Sequence, residues 1–298
     1  MSNALPLQKL LAAATTTSRP AAQQTSILSP LMTTLCGIGI CVLLIWLGHG
    51  AIKPAKFKLS NSPGRANNLT PLHIIAIFGV WLLMPVGIVS LLALHVKLEL
   101  PQIAIIAGVI MQLAALFGGL VMATYCFDGG AVRGMGFTAR RWINDSIRSV
   151  IALLAILPVC MLLLLVTVWV ILQVDPELLA RHEFLKILTN PEIPTFWRAM
   201  VIPTAVLLAP LGEEVIFRGL LQSMFRRYFR RPWVAIVLTS ILFSAMHMAV
   251  LESLPALFAL SLVIGYSYER TGRLYSPIMI HMLFNLVNIA EVLTNTAT

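Results

Sequence analysis

The sequence predicts an all-α fold: a polytopic bundle of about eight transmembrane helices around a buried polar chamber. Three observations predict it. The 298-residue chain is 58% hydrophobic and only 11% charged, whereas a soluble globular protein carries about 25% charged residues. Its apolar residues are grouped into runs long enough, or nearly so, to cross a hydrocarbon core of about 30 Å. Finally, ionisable and amide side chains recur inside three of those runs.

In chain order the runs are Leu31–Ile52, Leu72–Leu94, Pro101–Tyr125, Ser149–Val174, Arg198–Phe225, Trp233–Leu251, Pro255–Tyr268 and Tyr275–Leu293. The seventh is short and follows the sixth across only "ESL", so the count lies between seven and nine. Every second connection is basic. Lys53, Lys56, Lys58 and Arg65 follow the first run; Arg133, Arg140, Arg141 and Arg148 follow the third; "RRYFRR" follows the fifth; Arg270 and Arg273 follow the seventh. The alternate connections carry no such excess. Lys and Arg mark cytoplasmic loops, so eight spans place both termini on the far side. This topology and contact with anionic lipid account for the net charge of +9, and no nucleic-acid partner is needed.

Three regions are expected. Residues 1–30 form a polar, Thr- and Ala-rich flexible arm, which lacks the uninterrupted apolar core of a cleaved signal peptide. Residues 31–174 supply about four N-terminal spans, and residues 175–298 supply the rest. Cys36, Cys41, Cys126 and Cys160 have no metal spacing and read as small apolar filler.

Ionisable groups within a bilayer are costly and mark functional sites by default. Glu213 and Glu214 lie in the fifth run, His247 in the sixth, and His281 with Asn285 in the eighth. His281 and Asn285 are four apart and share a helix face. Glu214 and Arg218 have the same spacing and can pair along the helix. At about 1.5 Å per residue, Glu213 lies roughly 20 Å in from Arg226 and His247 roughly 24 Å in from Arg231. His281 and Asn285 lie roughly 12 and 18 Å from Arg273. Three helices therefore bring polar groups to one level. A lone polar residue in a span more often locks helices together, but two carboxylates, two imidazoles and an amide point to chemistry. Arg218 reads as readily as a structural counter-ion for Glu214 as a substrate contact.

The other candidates are ordinary. His49, His73 and His95 sit near span ends, His182 and Glu252 in loops, and Glu291 near the end of the last run. "GYSYE" is not a G-x-S-x-G elbow, and no H-E-x-x-H helix occurs.

"EEVIFRG" resembles the E-E-x-x-x-R-G signature of the CAAX-protease and bacteriocin-processing family of intramembrane proteases. "FSAMH" (Phe243 to His247) resembles its second motif, and "HMLFN" (His281 to Asn285) its third. The resemblance covers about Val201 to Val287 and includes the Arg-Thr-Gly and Pro spacing before the last motif. It implies an intramembrane endopeptidase acting on a prenylated or membrane-associated peptide, with the polar chamber as its catalytic chamber. Glu213 would activate water and His247 would position it. His281 and Asn285 would form the oxyanion hole, and Glu214, held by Arg218, would orient its neighbours. Glu213, His247 and His281 are also a legitimate zinc set with an open fourth position. The metal-free form is favoured, because His281 is accounted for beside Asn285.

Two other readings stay open: a transporter or proton relay using the same carboxylates, and a non-catalytic membrane scaffold. Transporters often carry paired repeats, and no matching halves occur in this sequence. A scaffold is expected to lack a motif residue, and none is missing. The expected partners are membrane lipid and a peptide or protein substrate. The expected location is the plasma membrane of a prokaryote. The charge pattern makes the orientation testable: cysteines placed at positions 56 and 230 are expected to resist an impermeant thiol reagent added outside intact cells. Strong labelling at either position would overturn the orientation.

Overall fold

The computed structural model describes residues 29–52, 59, 62, 64–138, 141–179 and 183–296. Most of the expected N-terminal arm, together with Lys53, Lys56, Lys58, Arg140 and His182, lies outside them. The first helices are α1 (Pro30–Ile52), α2 (Pro71–Ala93), α3 (Leu100–Cys126), the short α4 (Gly130–Gly134) and α5 (Trp142–Val174). They are followed by α6 (Glu183–Thr189), α7 (Thr195–Phe229), α8 (Pro232–Ala245), α9 (Leu254–Thr271) and α10 (Tyr275–Thr296). Among the described residues seven helices, α1, α2, α3, α5, α7, α9 and α10, are long and apolar enough to cross a membrane. The protein is an all-α, multi-pass membrane bundle.

The sixth apolar run does not become a full span. α8 has 14 residues, about 21 Å at the helical rise, against a core of about 30 Å. Hydropathy reads on to Leu251, but the backbone tightens past Ala245. The N–H of His247 donates to Ser244 O (2.9 Å) and that of Val250 to His247 O (3.0 Å), both three residues back. Ser244 Oγ donates to Leu254 O (2.7 Å) and ties the turn to the start of α9. Irregular backbone at membrane depth persists only where protein or a water-filled cavity covers it, so this turn is a place where polar chemistry can be accommodated.

α7 is the axis of the bundle. Half of its apolar window is buried, against 11–33% for the other spans. It packs on α3, α8 and α10, and its residues from Gly212 to Met224 are all buried. Val215, Ile216, Phe217, Leu220 and Leu221 join Ile77 and Trp81 of α2, Ala115 and Ala123 of α3, Phe243 of α8 and Tyr268 of α9 in one core. Helices in lipid approach through small residues, and α3 shows why. Its buried positions Gly108, Gln112, Ala115, Gly119 and Ala123 fall at spacings of three and four, on one face. A Cβ on Gly119 would collide with Val215 of α7. One on Gly212 would stand 2.8 Å from both the backbone and side-chain oxygens of Gln112. The α3–α7 contact exists because these two positions are glycine.

Polar ties fix the rims. Arg273 grips Asp145 at the head of α5 with two hydrogen bonds, 2.5 Å from Nε and 2.6 Å from Nη2. That hydrogen bonding raises the Arg273 pKa above its ordinary value. Gln222 of α7 and Ser62, between α1 and α2, donate to the two oxygens of Glu269 on α9 (3.0 and 3.2 Å). His73 serves the start of α2, accepting from the Thr70 N–H (3.1 Å). Glu291 accepts from the Ser29 N–H (2.9 Å) and so ties the start of α1 to α10.

Candidate active site

The site begins with a disturbance in α7. Thr204–Leu208 and Val215–Gln222 are wound as π-helix, flanking the six-residue α-helical stretch that carries Glu213 and Glu214. The Ala209 N–H bonds to Thr204 O, five residues back. The next bond in that register would run from residue 210 to Ala205 O, but Pro210 has no N–H. Ala205 O is left for another donor, and Asn285 Nδ2 supplies it at 2.8 Å. One proline thus connects the first motif helix to the last. Such local π-turns occur frequently at functional sites.

Glu214 is fully buried. Its Oε1 accepts from Arg218 Nη1 (3.1 Å) and from His281 Nδ1 (2.8 Å). Arg218, also fully buried, sends Nη2 to Ser261 Oγ (2.7 Å) and Ser261 O (3.3 Å) on α9, and lies 4.8 Å from the centroid of the Phe243 ring. The side chain therefore acts as an internal cross-link as well as a counter-charge. Glu213 accepts through Oε1 from Gln112 Nε2 of α3 (3.1 Å). Its Oε2 has no hydrogen-bond partner among the described residues and stands 3.9 Å from His281 Nε2. The imidazole of His281 is consequently held between the carboxylates, bonded to one and facing the other.

His247 is half-buried in the turn after α8. Its Nδ1 lies 2.9 Å from Phe243 O. A carbonyl only accepts, so Nδ1 carries the hydrogen and Nε2 of the neutral ring is a bare acceptor. The Phe243 ring packs against both imidazoles, with centroid distances of 4.9 Å to His247 and 5.7 Å to His281. Of the six residues singled out in the sequence, the structure brings Glu213, Glu214, Arg218 and His281 into one contact network. His247 reaches that network through Phe243, and Asn285 through the backbone of α7. Neither hydrogen-bonds a carboxylate among the described residues.

The candidate zinc set fares differently. Glu213 Oε2 and His281 Nε2 have suitable donor chemistry, but no group of three His, Cys, Asp or Glu side chains among the described residues is arranged to hold a metal. Glu213, His247 and His281 do not converge as a ligand set, and no step below passes through one.

Sequence reasoning missed Gln112 and Ser261. Gln112 was visible as an amide in the apolar stretch "VIMQLAA", but it carries no charge and lies far from the motifs. Ser261 had no signal, since a serine inside a span is commonplace. The cluster also carries a stability prediction. Arg218→Met leaves Glu214 buried without its cation, and removing one partner of a buried pair costs about 3–5 kcal/mol. Arg218→Lys keeps the charge but loses the planar fork and is expected to cost less. Thermal unfolding of the purified variants in detergent checks the order.

Comparisons with known proteins fit this geometry. Residues 194–287 match the family model described as Rce1-like, type II CAAX prenyl endopeptidase Rce1-like. Over 100 residues, 33% of this chain and 45% of the relative, the sequence is 35% identical to an uncharacterised 24.3 kDa protein of Escherichia coli. Over 82 residues, 28% of this chain and 43% of the relative, it is 29% identical to the UPF0177 protein YbdI of Lactococcus lactis. The chain thus spans less than half the length of these curated relatives. No solved structure matches it. The match over residues 194–287 contains all three motifs and supports the CAAX-protease family resemblance that they carry.

Proposed function

We propose that the protein is an intramembrane endopeptidase that hydrolyses a peptide bond with a water activated by Glu213, without a metal. The observation that carries this reading is the 3.9 Å separation of Glu213 Oε2 and His281 Nε2. That gap is too long for a direct hydrogen bond, so the lone pairs of Oε2, which have no partner among the described residues, are left for a water admitted with the substrate. Glu213 Oε2 takes a proton from that water as its oxygen attacks the peptide carbonyl carbon. The carbonyl oxygen becomes an oxyanion. Asn285 retains one amide hydrogen beyond the bond to Ala205 O and offers it to the oxyanion, with His281 donating from Nε2 when its ring carries both hydrogens. Collapse breaks the C–N bond, and Glu213 returns the proton to the leaving amine. His247, with Nε2 bare, accepts from and orients the water. Glu214 fixes the tilt of His281, and Arg218 fixes Glu214.

The substrate class we propose is a peptide presented at the membrane, prenylated or otherwise membrane-associated, in keeping with the description of the matching family. The matched curated relatives are bacterial, which supports a prokaryotic plasma membrane as the location.

The test is cleavage of a quenched fluorescent peptide library by the purified protein. Glu213→Gln preserves shape but removes the base, and turnover is expected to fall at least about a hundredfold. Asn285→Ala weakens oxyanion stabilisation, with a loss of about a hundredfold or more expected for one donor. Exhaustive chelation is expected to leave activity intact; loss on chelation with recovery on added zinc would replace the base by a metal ligand. Normal cleavage by folded Glu213→Gln protein would sink the reading and bring forward a transporter or scaffold.

A further inference from the structure

We infer that Gln112, on α3 and outside the segment that matches the family, is a positioning residue for the water-activating carboxylate. The inference rests on the reading of Glu213 as the base. Gln112 is 4% exposed in the middle of an apolar helix, a costly place for an amide unless it is bonded. Among the described residues its one side-chain hydrogen bond is the 3.1 Å donation to Glu213 Oε1. The direction of the bond is fixed, because an amide nitrogen only donates. The amide oxygen has no partner among the described residues and lies against Gly212, where any side chain would stand 2.8 Å from it. A glutamine that served only to join two helices could bond backbone on either. This one is directed at a carboxylate whose other oxygen has no partner among the described residues and faces His281.

The consequence is a division of labour between the two oxygens of Glu213. The terminal torsion of a glutamate is broad and nearly two-fold, so an unrestrained carboxylate would present either oxygen, at varied angles. Gln112 occupies Oε1 and stops that rotation. Oε2 is then the oxygen that faces His281 Nε2 at 3.9 Å. Gly212 makes this possible by letting α3 approach α7 closely enough for a glutamine to reach. The second residue of the "GEE" stretch is therefore aligned by the N-terminal half of the chain, which carries no motif of its own.

The test compares kcat and KM for the full-length protein in lipid nanodiscs. Gln112→Met has similar length and no donor; Gln112→Glu has the same length and presents an acceptor. A hydrogen bond to a charged group is worth about ten- to a hundredfold, and kcat is expected to fall by that factor in Gln112→Met, with KM within about twofold. Gln112→Glu is expected to lose at least as much. The infrared carboxyl bands of Glu213, identified by their disappearance in Glu213→Gln, are expected to shift in Gln112→Met. This readout requires no turnover, and a purely structural role would not move it. If Gln112→Met does not fold, Gln112→Glu carries the test. Unchanged kcat and unshifted bands in a folded variant, beside an inactive Glu213→Gln, overturn the role of Gln112 and leave the endopeptidase reading standing. Normal turnover in Glu213→Gln removes the endopeptidase reading itself.

Discussion

The arrangement depends on one buried carboxylate. Glu214 has no exposure to solvent, and an ion in that position is tolerated only with a counter-charge and hydrogen bonds around it. Arg218 and His281 both bond its Oε1. Each brings its own helix. Arg218 is on α7 with Glu214 and reaches Ser261 on α9; His281 is on α10. Satisfying a single charge therefore fixes the mutual placement of three helices and the tilt of an imidazole. The neighbouring Glu213 points elsewhere because adjacent helical residues diverge by about a quarter-turn, and it is met by α3 instead. Two carboxylates side by side in sequence thus have distinct surroundings: Oε1 of Glu214 meets Arg218 and His281, Oε1 of Glu213 meets the Gln112 amide, and the second oxygen of each has no partner among the described residues.

The backbone of α7 makes that possible. Glycine at 212 admits α3, proline at 210 frees a carbonyl for Asn285, and the π-wound stretches on either side carry the carboxylates at the centre of the bundle. The aromatic stack extends the same logic without charge. Phe217 meets Phe243 nearly edge-on, and Phe243 meets His281 likewise. The short α8 ends beside this stack. Its turn sets His247 on irregular backbone, with its ring against Phe243.

Much of this was legible in the sequence. Long apolar runs announced the bundle because membrane spans must satisfy their own backbone bonds. Glu213, Glu214, Arg218 and His281 stood out because ionisable groups in such a run are costly and several at one level are harder to explain as helix-locking contacts than one alone, and the structure places all four in one contact network. The end of α8 was not legible: Met246, Met248, Ala249 and Val250 are as apolar as the helix before them, so hydropathy continues where the chain turns. The hold of Asn285 on Ala205 was hidden because it follows from a missing N–H and a change of helical register. Gln112 was hidden because the relevant fact is its distance from a glycine a hundred residues further along.

The central claim is that the buried pair and His281 form a hydrolytic centre in which Glu213 Oε2 handles the water. The most direct measurement is an experimental structure of the protein bound to a phosphinate peptide, whose tetrahedral centre mimics the attacked carbonyl. One phosphinate oxygen is expected within about 3.2 Å of Glu213 Oε2, with the other facing Asn285 Nδ2. Binding of the analogue elsewhere, or at the site with both oxygens remote from Glu213, would contradict the account.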